Sequence, residues 1–200
     1  MDTQEQAGDK GYALAESLGV PLVIMEPIKG GSLANFSEDI NDRFHKMDPD
    51  RSVASYALRW VGSHPNVKVI LSGMSTMDQV EDNLKTFQDF SPLSEAEEKE
   101  IESIVTELRS RVQNGCTGCR YCMPCPAGVN IPGNFKVWNN YHMYRTYDHV
   151  KWSWEKELKE EEKAKNCIKC GKCETLCPQK LSIRDNLVQV QKDLDERIFK

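Results

Sequence analysis

Residues 167–178 read Cys167-Ile-Lys-Cys170-Gly-Lys-Cys173-Glu-Thr-Leu-Cys177-Pro178, and residues 116–126 read Cys116-Thr-Gly-Cys119-Arg-Tyr-Cys122-Met-Pro-Cys125-Pro126. These two stretches contain all eight cysteines of the 200-residue chain, and the residues before Cys116 contain none. Each stretch places three cysteines at two-residue gaps and a further cysteine directly before a proline. The repeated spacing predicts two loops that each gather several thiols. It also divides the chain into two regions with different roles.

The second stretch is similar to the cysteine run of bacterial ferredoxins, in which the fourth cysteine follows three residues after the third and precedes a proline. In ferredoxins with two clusters, that fourth cysteine binds the other cluster. The resemblance implies two [4Fe-4S] clusters with exchanged fourth ligands. The first cluster takes Cys116, Cys119, Cys122 and Cys177, and the second takes Cys167, Cys170, Cys173 and Cys125. The first stretch departs from this spacing, because two residues, and not three, separate Cys122 from Cys125.

Zinc is the main alternative to iron–sulfur clusters. Structural zinc sites usually join two CxxC pairs that lie about 12–20 residues apart. Each stretch here instead offers four cysteines within about ten residues, which is a poor match. A zinc-stabilised interaction module therefore stays as the less favoured interpretation.

The composition is that of an acidic globular chain, with a formal net charge of -5, 39% hydrophobic residues and 28% charged residues. Nucleic-acid binding is not expected, because it depends on basic surfaces. A membrane span is not expected either, because no apolar run approaches about 18 residues. The polar N-terminus shows no secretory signal, so the expected compartment is the cytoplasm, where structural disulfides are rare.

The first region alternates between helical and strand patterns. The apolar runs 20–25 and 67–71 predict strands buried on both faces. The predicted helices cover residues 3–18 and 52–63, and a third begins at Thr76, where Gln79 completes a capping box. Strands that alternate with helices favour βα units on a parallel sheet.

The second region is predicted to be mainly helical outside the cysteine loops. Residues 94–112 predict a helix that opens with a Ser94–Glu97 capping box. The charged run 155–165 predicts an exposed helix, and a last amphipathic helix is predicted to start at Ser182. The aromatic residues between Trp138 and Trp154 are expected to pack in a core.

Four segments of the first region resemble the last part of the aldo/keto reductases. They are residues 23–31 (Val-Ile-Met-Glu-Pro-Ile-Lys-Gly-Gly), 56–60 (Tyr-Ala-Leu-Arg-Trp), 69–75 (Val-Ile-Leu-Ser-Gly-Met-Ser) and 79–84 (Gln-Val-Glu-Asp-Asn-Leu). With the cysteine loops, the chain resembles the members of that family that carry a C-terminal ferredoxin-type 4Fe-4S domain. The implied fold class is α/β, a partial (β/α)8 barrel made of the last βα units, followed by a mainly α-helical two-cluster [4Fe-4S] ferredoxin-like domain.

The resemblance also implies a nicotinamide site in the longer protein. Glu26, Pro27, Ile28 and Gly30 match the loop along the cofactor's pyrophosphate, and Gly73, Ser75, Gln79, Asp82 and Asn83 match the segment around its adenosine end. Gly73 and Asp82 depart from what NADP-preferring members carry, so NADP is not favoured over NAD. No catalytic residue is assigned, because the family's catalytic side chains lie on earlier strands that have no counterpart here.

The resemblance thus implies the C-terminal fragment of an iron–sulfur oxidoreductase, with electron transfer through two [4Fe-4S] clusters coupled to NAD(P)H. The expected domains are the barrel portion at 1–90, a connecting helix at 91–113 and the ferredoxin-type domain at 114–200. The expected partners are a redox protein or nicotinamide, with a small carbonyl or alcohol substrate only in the full-length protein. The alternative is a stand-alone ferredoxin-like electron-transfer module that serves another subunit.

Overall fold

The structure, a computed structural model, describes residues 8–145 and 147–198, without the side chains of residues 148, 149 and 196–198. Residues 3–7 of the first predicted helix lie outside the described residues. The chain divides into two compact units, Met1–Ile104 and Val105–Lys200. No described helix is both long enough and apolar enough to span a bilayer.

The first unit contains a two-stranded parallel sheet with helices on its flanks. The strands are β1 (Leu22–Ile24) and β2 (Val67–Ile70), and the helices are α1 (Gly8–Ser17), α2 (Glu38–Met47), α3 (Val53–Gly62), α4 (Met77–Gln88) and α5 (Glu95–Ser110). The division between the two units falls within α5. Val23 pairs with Val69 and Ile24 pairs with Ile70. Because the strands are parallel, the segments that follow β1 and β2 leave the sheet at the same edge.

The local helix signals of the first unit are confirmed. The Ser52 hydroxyl accepts a hydrogen bond from the backbone N–H of Ser55 at the start of α3. Thr76 and Gln79 form the predicted capping box of α4. Ser94 and Glu97 form the predicted capping box of α5, in which the Ser94 backbone N–H donates to a Glu97 carboxylate oxygen over 2.7 Å.

The prediction that both strands are buried on both faces is wrong. Val23 is 57% exposed and Val69 is 46% exposed, and Met25 and Leu71 beyond the strands are also exposed. A parallel strand loses water from both faces only when helices or further strands cover both. Among the described residues, the sheet has two strands, and this apolar side of them stays open to solvent.

The core of the first unit lies between its helices instead. Helix α3 packs against α2, α4 and β2. Ile40, Phe44, Tyr56 and Leu58 are buried there, and the Tyr56 hydroxyl donates to the Phe44 carbonyl over 3.2 Å. Residues 32–51, which show no pattern interpreted above, supply α2 and the core side chains Ile40 and Phe44.

Arg59 is the most buried cation of this unit, with 3% of its side chain exposed. Its guanidinium donates to both Glu97 oxygens over 2.6 and 3.0 Å and to the carbonyls of Ser91 and Pro92. Burial raises the pKa of Glu97, but hydrogen bonds from Arg59 and Ser94 outweigh it and lower that pKa to about 2. The pair therefore stays charged and connects α3 to the start of α5.

The second unit is mainly helical, as predicted. Its helices are α6 (Ile131–Tyr144), α7 (Tyr147–Trp152), α8 (Lys172–Leu176) and α9 (Ile183–Gln191), and π-helical turns follow at Ser153–Glu157 and Lys192–Ile198. Helix α6 packs against α9 around a core that includes Phe135, Trp138, Trp154 and Leu187. Trp138 and Trp154 donate their indole N–H groups to Asp193 and Asp195 over 2.9 and 2.8 Å. The predicted core role is confirmed for Trp138 and Trp154 and is wrong for Tyr147 and Trp152, which are more than half exposed.

The predicted exposed helix over residues 155–165 is wrong. The segment leaves the π-helical turn Ser153–Glu157 and continues as two short 3-10 turns, Glu160–Glu162 and Ala164–Asn166. Its backbone is held by a buried side chain, because the Asn134 amide donates to the Glu162 carbonyl and accepts from the Ala164 N–H, each over 2.8 Å. Lys163 is 8% exposed, and its ammonium lies 4.9 Å from the Trp154 ring centroid.

Candidate metal centre

The two cysteine loops share one backbone conformation. In the first loop, Gly118 and Arg120 have φ angles of 70° and 64°, and in the second loop Lys169 and Gly171 have φ angles of 56° and 81°. These residues occupy the same places relative to the cysteines of their loops. Residues in the left-handed backbone conformation turn the chain sharply. Each loop therefore curls and keeps its three cysteines close together. Arg120 and Lys169 hold this conformation at a cost of about 1 kcal/mol each.

The repetition continues past the last cysteine of each loop. The N–H of Gly128 donates to the Cys125 carbonyl over 3.0 Å, and the N–H of Lys180 donates to the Cys177 carbonyl over 3.1 Å. Both donors have a positive φ. Helix α6 then starts after Asn130, and α9 starts after Ser182 at the equivalent position. The buried residues of α6 repeat in α9, because Ile131, Phe135 and Trp138 precede Ile183, Leu187 and Val190 by the same number of residues. The internal repeat therefore covers loop and helix, whereas the sequence showed it only in the cysteines.

The first group of thiols includes one cysteine from the far loop. Burial raises the pKa of the Cys116 thiol, and the charges of Cys119 and Cys177 raise it further. Burial likewise raises the pKa of Cys122, with further contributions from Cys116, Cys119 and Cys177. Such mutual effects require short separations, because charge interactions fade with distance and screening. Cys177 therefore lies near the thiols of the first loop.

The second group lines a small cavity. Cys125, Cys167, Cys170 and Cys173 are in its wall together with Arg184. Burial raises the pKa of the Cys173 thiol to about 11, with help from the charges of Glu174 and Cys167. Cys122 also touches this cavity, but the thiols that act on its charge are those of the first group. We therefore place Cys122 with the first group.

The chemistry of these sites fits iron–sulfur clusters. All eight cysteines are free, so every thiol is available as a ligand. Among the side chains that the structure describes, no three His, Cys, Asp or Glu form a group that could hold a single metal ion. A cubane spreads its four thiolates over four different iron atoms, so they stand farther apart than ligands of one ion do.

A buried donor next to Cys116 supports the fit. The Asn114 amide is 3% exposed, and its oxygen accepts the backbone N–H of Cys116 over 2.9 Å. Its nitrogen Nδ2 is buried without a hydrogen-bond partner. A buried N–H without an acceptor costs about 1–3 kcal/mol, and cluster sulfur atoms commonly accept such N–H groups. A cluster beside Cys116 would supply that acceptor.

The nicotinamide candidates lie after the two strands. Glu26, Pro27, Ile28 and Gly30 follow β1 in a tight segment in which Glu26 and Gly30 have φ angles of 51° and 61°. Gly73 and Ser75 follow β2 and are exposed. Since β1 and β2 are parallel, the structure brings both segments to one edge of the sheet.

Three of these candidates have partners within the chain. The Gln79 oxygen accepts the backbone N–H groups of Ser75 and Thr76 over 2.7 and 3.3 Å. Asp82 accepts the Ser52 hydroxyl over 2.6 Å, and Asn83 donates to the Ser72 hydroxyl over 3.0 Å. Gln79 therefore shapes the start of α4, and Asp82 and Asn83 fix neighbouring loops.

Comparison with protein families accounts for both units. The model of the aldo/keto reductase family matches residues 6–106, which is half of the chain. The chain belongs to the aldo/keto reductase family. A second family model, described as a 4Fe-4S dicluster domain, matches residues 115–181 and so contains all eight cysteines. No curated protein and no solved structure matches the chain.

These matches confirm the resemblances that the sequence indicated. This aldo/keto reductase family member is an iron–sulfur oxidoreductase with a partial barrel region and a ferredoxin-type region. The ligand assignments and the nicotinamide contacts stay predictions. Sequence reasoning missed Asn114, Glu174 and Arg184, because their positions next to the thiols come from the folded loops and not from a spacing pattern.

Proposed function

We propose that the chain is the C-terminal part of an iron–sulfur aldo/keto reductase-like enzyme whose second unit passes single electrons through two [4Fe-4S] clusters. The proposal is supported by the positions of Cys177 and Cys125, each of which lies near thiols of the opposite loop. Cys177 interacts with the thiols of the first loop, and Cys125 shares a cavity with those of the second. The repeated left-handed backbone of the two loops supports the same arrangement.

Coupling to NAD(P)H is supported by the segments after β1 and β2. Both segments leave one edge of the parallel sheet, which is where α/β proteins bind cofactors. A hydride carries two electrons, and two clusters that each accept one electron suit that number. Cys119 and Cys170 are exposed in their loops, so electrons can also reach a redox partner protein directly.

The proposal that the protein is a fragment rests on exposed apolar side chains in the first unit. Val23, Met25 and Val69 are about half or more exposed, and further strands and helices of a barrel would cover them. The substrate, a small carbonyl or alcohol, would be bound by that longer protein. The free thiols suit the cytoplasm, a reducing compartment.

The first experiment measures the metal content after anaerobic purification. Two [4Fe-4S] clusters give about eight iron and eight sulfide per chain, whereas the zinc-stabilised module gives about two zinc and no sulfide. After dithionite reduction, EPR should show two cluster signals. We expect Cys177→Ser to weaken the signal of the first cluster and Cys125→Ser that of the second. Loss of neither signal in these variants would contradict the exchanged ligands.

The second experiment tests the coupling. NADH or NADPH is added anaerobically to the full-length protein, and cluster reduction is followed by EPR. A signal with either nucleotide supports the coupled enzyme. Signals with dithionite but with neither nucleotide would overturn the coupling and favour the alternative, a stand-alone ferredoxin-like module. The separate core of the second unit, around Phe135 and Trp154, is the observation that favours this alternative.

A further inference from the structure

We infer that the side chain of Asn114 binds the first cluster. Its nitrogen Nδ2 donates a hydrogen bond to a sulfur atom of that cluster and thereby raises the reduction potential of the cluster. The inference rests on the proposed function, because it requires a cluster at the first group of thiols. It adds a cluster-binding side chain that is not a cysteine, and it assigns Asn139 as the positioning residue that holds Asn114 in place.

Asn114 stands directly before the first cysteine loop and is joined to it by its own side chain. Its Oδ1 accepts the backbone N–H of Cys116 over 2.9 Å, in the turn that asparagine side chains form with the backbone two residues on. This bond also identifies the oxygen, because the nitrogen of an amide side chain accepts no hydrogen bond. The two atoms share one carbon, so Nδ2 lies close to Cys116 as well.

Asn139 on α6 fixes the backbone of Asn114. Its Oδ1 accepts the backbone N–H groups of Gln113 and Asn114 over 3.1 and 3.0 Å, and its Nδ2 donates to the Asn114 carbonyl over 2.7 Å. The preceding residues of α6, Val137 and Trp138, are buried in the core of the second unit. The amide of Asn114 is therefore held in place from the helix side and from the loop side.

Nδ2 is the polar atom of Asn114 that these bonds leave over. Asn114 is 3% exposed, and Nδ2 has no hydrogen-bond partner among the residues that the structure describes. Burying an N–H group without an acceptor is costly. A cluster held by the first group of thiols has sulfur atoms next to Cys116, and cluster sulfur accepts N–H groups. We therefore assign cluster sulfur as the acceptor for Nδ2.

The second loop has a different arrangement at the corresponding position. The residue two places before its first cysteine is Lys165, whose side chain is 41% exposed and pairs with Glu160. Asn166, directly before Cys167, donates its Nδ2 to the Glu160 carbonyl over 2.8 Å. Neither side chain is a buried donor without a partner. The contact that we assign to Asn114 therefore concerns the first cluster and not the second.

The hydrogen bond predicts a direction for the reduction potential. Reduction transfers one electron to the cluster from a redox partner or from dithionite, and it makes the cluster more negative by one charge with no bond formed or broken. The positive end of an N–H dipole stabilises the reduced form more than the oxidised form, and hydrogen bonds to the sulfurs help to set the potential. Loss of the Asn114 donor should therefore lower the potential of the first cluster.

Pulsed EPR of the reduced holoprotein tests the contact directly. The chain is produced with asparagine whose amide nitrogen carries the heavy isotope, and the first cluster is identified by the signal that Cys177→Ser weakens. We expect a coupling between that cluster and the labelled nitrogen, and its loss in Asn114→Ser. Asn166→Ser, the matched change in the second loop, should leave the coupling in place. Absence of the coupling in the unmodified protein, as when a buried water accepts from Nδ2, would overturn the inference.

An anaerobic redox titration separates the contact from a purely structural role. A serine hydroxyl can form the same turn to the Cys116 N–H, although more weakly, but it is shorter and lacks the amide N–H, whereas alanine lacks both functions. We expect Asn114→Ser and Asn114→Ala to shift the midpoint potential of the first cluster to more negative values, and Asn166→Ser to leave it in place. If Asn114 only supports the turn, Asn114→Ser keeps the unmodified midpoint, and the inference is overturned.

Two further outcomes are distinguishable. Should the Asn114 variants lose iron, the coupling to the labelled nitrogen in the unmodified protein and in Asn166→Ser still decides. A preparation of the unmodified protein without about eight iron would instead refute the proposed function.

Discussion

The two units of this protein bury their apolar side chains in different ways. The second unit has a buried core from Val129 to Leu194, and six of its eight cysteines lie in or against that core. The first unit has a core between its helices, yet its two strands expose Val23 and Val69 to solvent. The comparison shows that an apolar sequence run is buried only where other elements of the structure cover it. We expect the fold of the second unit to depend in addition on bound iron.

The largest expected difference between the units follows removal of iron. Bound metal contributes on the order of 10 kcal/mol to small domains that depend on it. In a Trp60→Phe variant, the remaining tryptophans all belong to the second unit, and Trp154 is 1% exposed there. Iron chelation should shift their emission to the red as the core opens. Hydrogen exchange in α3 of the first unit should not change. Emission that stays blue after complete iron loss would contradict the dependence.

The next effect concerns the ion pair that organises the first unit. Glu97→Ala leaves the Arg59 guanidinium buried without its carboxylate, and breaking such a pair costs about 3–5 kcal/mol. The matched control is Lys99→Met on the same helix, because the Lys99–Glu95 pair is 72% and 84% exposed and should cost under about 0.5 kcal/mol. Urea unfolding, monitored by hydrogen exchange in α3, gives the loss of stability in each of the two variants. Equal costs would show that the first unit lacks a specific core.

A smaller effect is expected from acid. The folded pKa of Glu97, about 2, lies below its ordinary value of 4.5, so the unfolded state takes up a proton first as the pH falls. The stability from this pair is complete above about pH 4.5 and is lost between there and about pH 2. Glu97→Gln should flatten that part of the pH profile in the first unit. The pKa of Glu160 in the second unit is also lowered to about 2, first by Lys163 and then by Lys165.

Salt distinguishes these two carboxyl groups. The Glu160 side chain is 62% exposed, and screening should remove its contribution at high ionic strength. The Glu97 side chain is 16% exposed, so its acid-dependent loss of stability should persist in salt. If salt abolished both effects equally, the Arg59–Glu97 pair would not be shielded in solution.

The smallest effect on stability is expected on the open sheet. Val23→Lys places a charge where the side chain is already exposed, and surface changes stay within about 0.5 kcal/mol. It should reduce concentration-dependent self-association of the full chain, measured by sedimentation. Val61 on α3 is 8% exposed, and Val61→Lys is the buried counterpart that should destabilise the first unit instead. Unchanged association in Val23→Lys would mean that this face does not drive it.

The parts of the fold that sequence predicted are those that depend on near neighbours. The Ser94–Glu97 and Thr76–Gln79 capping boxes act over three residues, and both were predicted and found. The prediction of a helix at 155–165 was wrong, because Asn134 on another helix holds that segment in short turns. The prediction that β1 and β2 are buried on both faces was wrong. An apolar run indicates that a strand needs to be covered, but it does not show which elements cover it.

The same contrast between near neighbours and residues distant in sequence applies to the candidate site. Cysteine spacing predicted two loops of thiols, because each loop is built from adjacent residues, whereas the exchange of fourth ligands was implied by the ferredoxin resemblance and stays a prediction. Spacing cannot reveal that Arg184 reaches the second loop, since the contact depends on how α9 returns to Gly171. Nor does it show that the Asn114 amide is buried beside Cys116. Both residues become visible only when the loops and the helices after them are compared in three dimensions.

The position of Cys177 beside the first loop has a consequence for how the protein is made. A ribosome releases Cys116, Cys119 and Cys122 well before Cys177, and it releases Cys125 well before the second loop. If the fourth ligands are exchanged as we propose, neither cluster has all its thiolates until nearly the whole second unit has been synthesised. Cluster insertion is then a late, joint event, and an emerging chain exposes open thiols to oxidation until its last helix can fold.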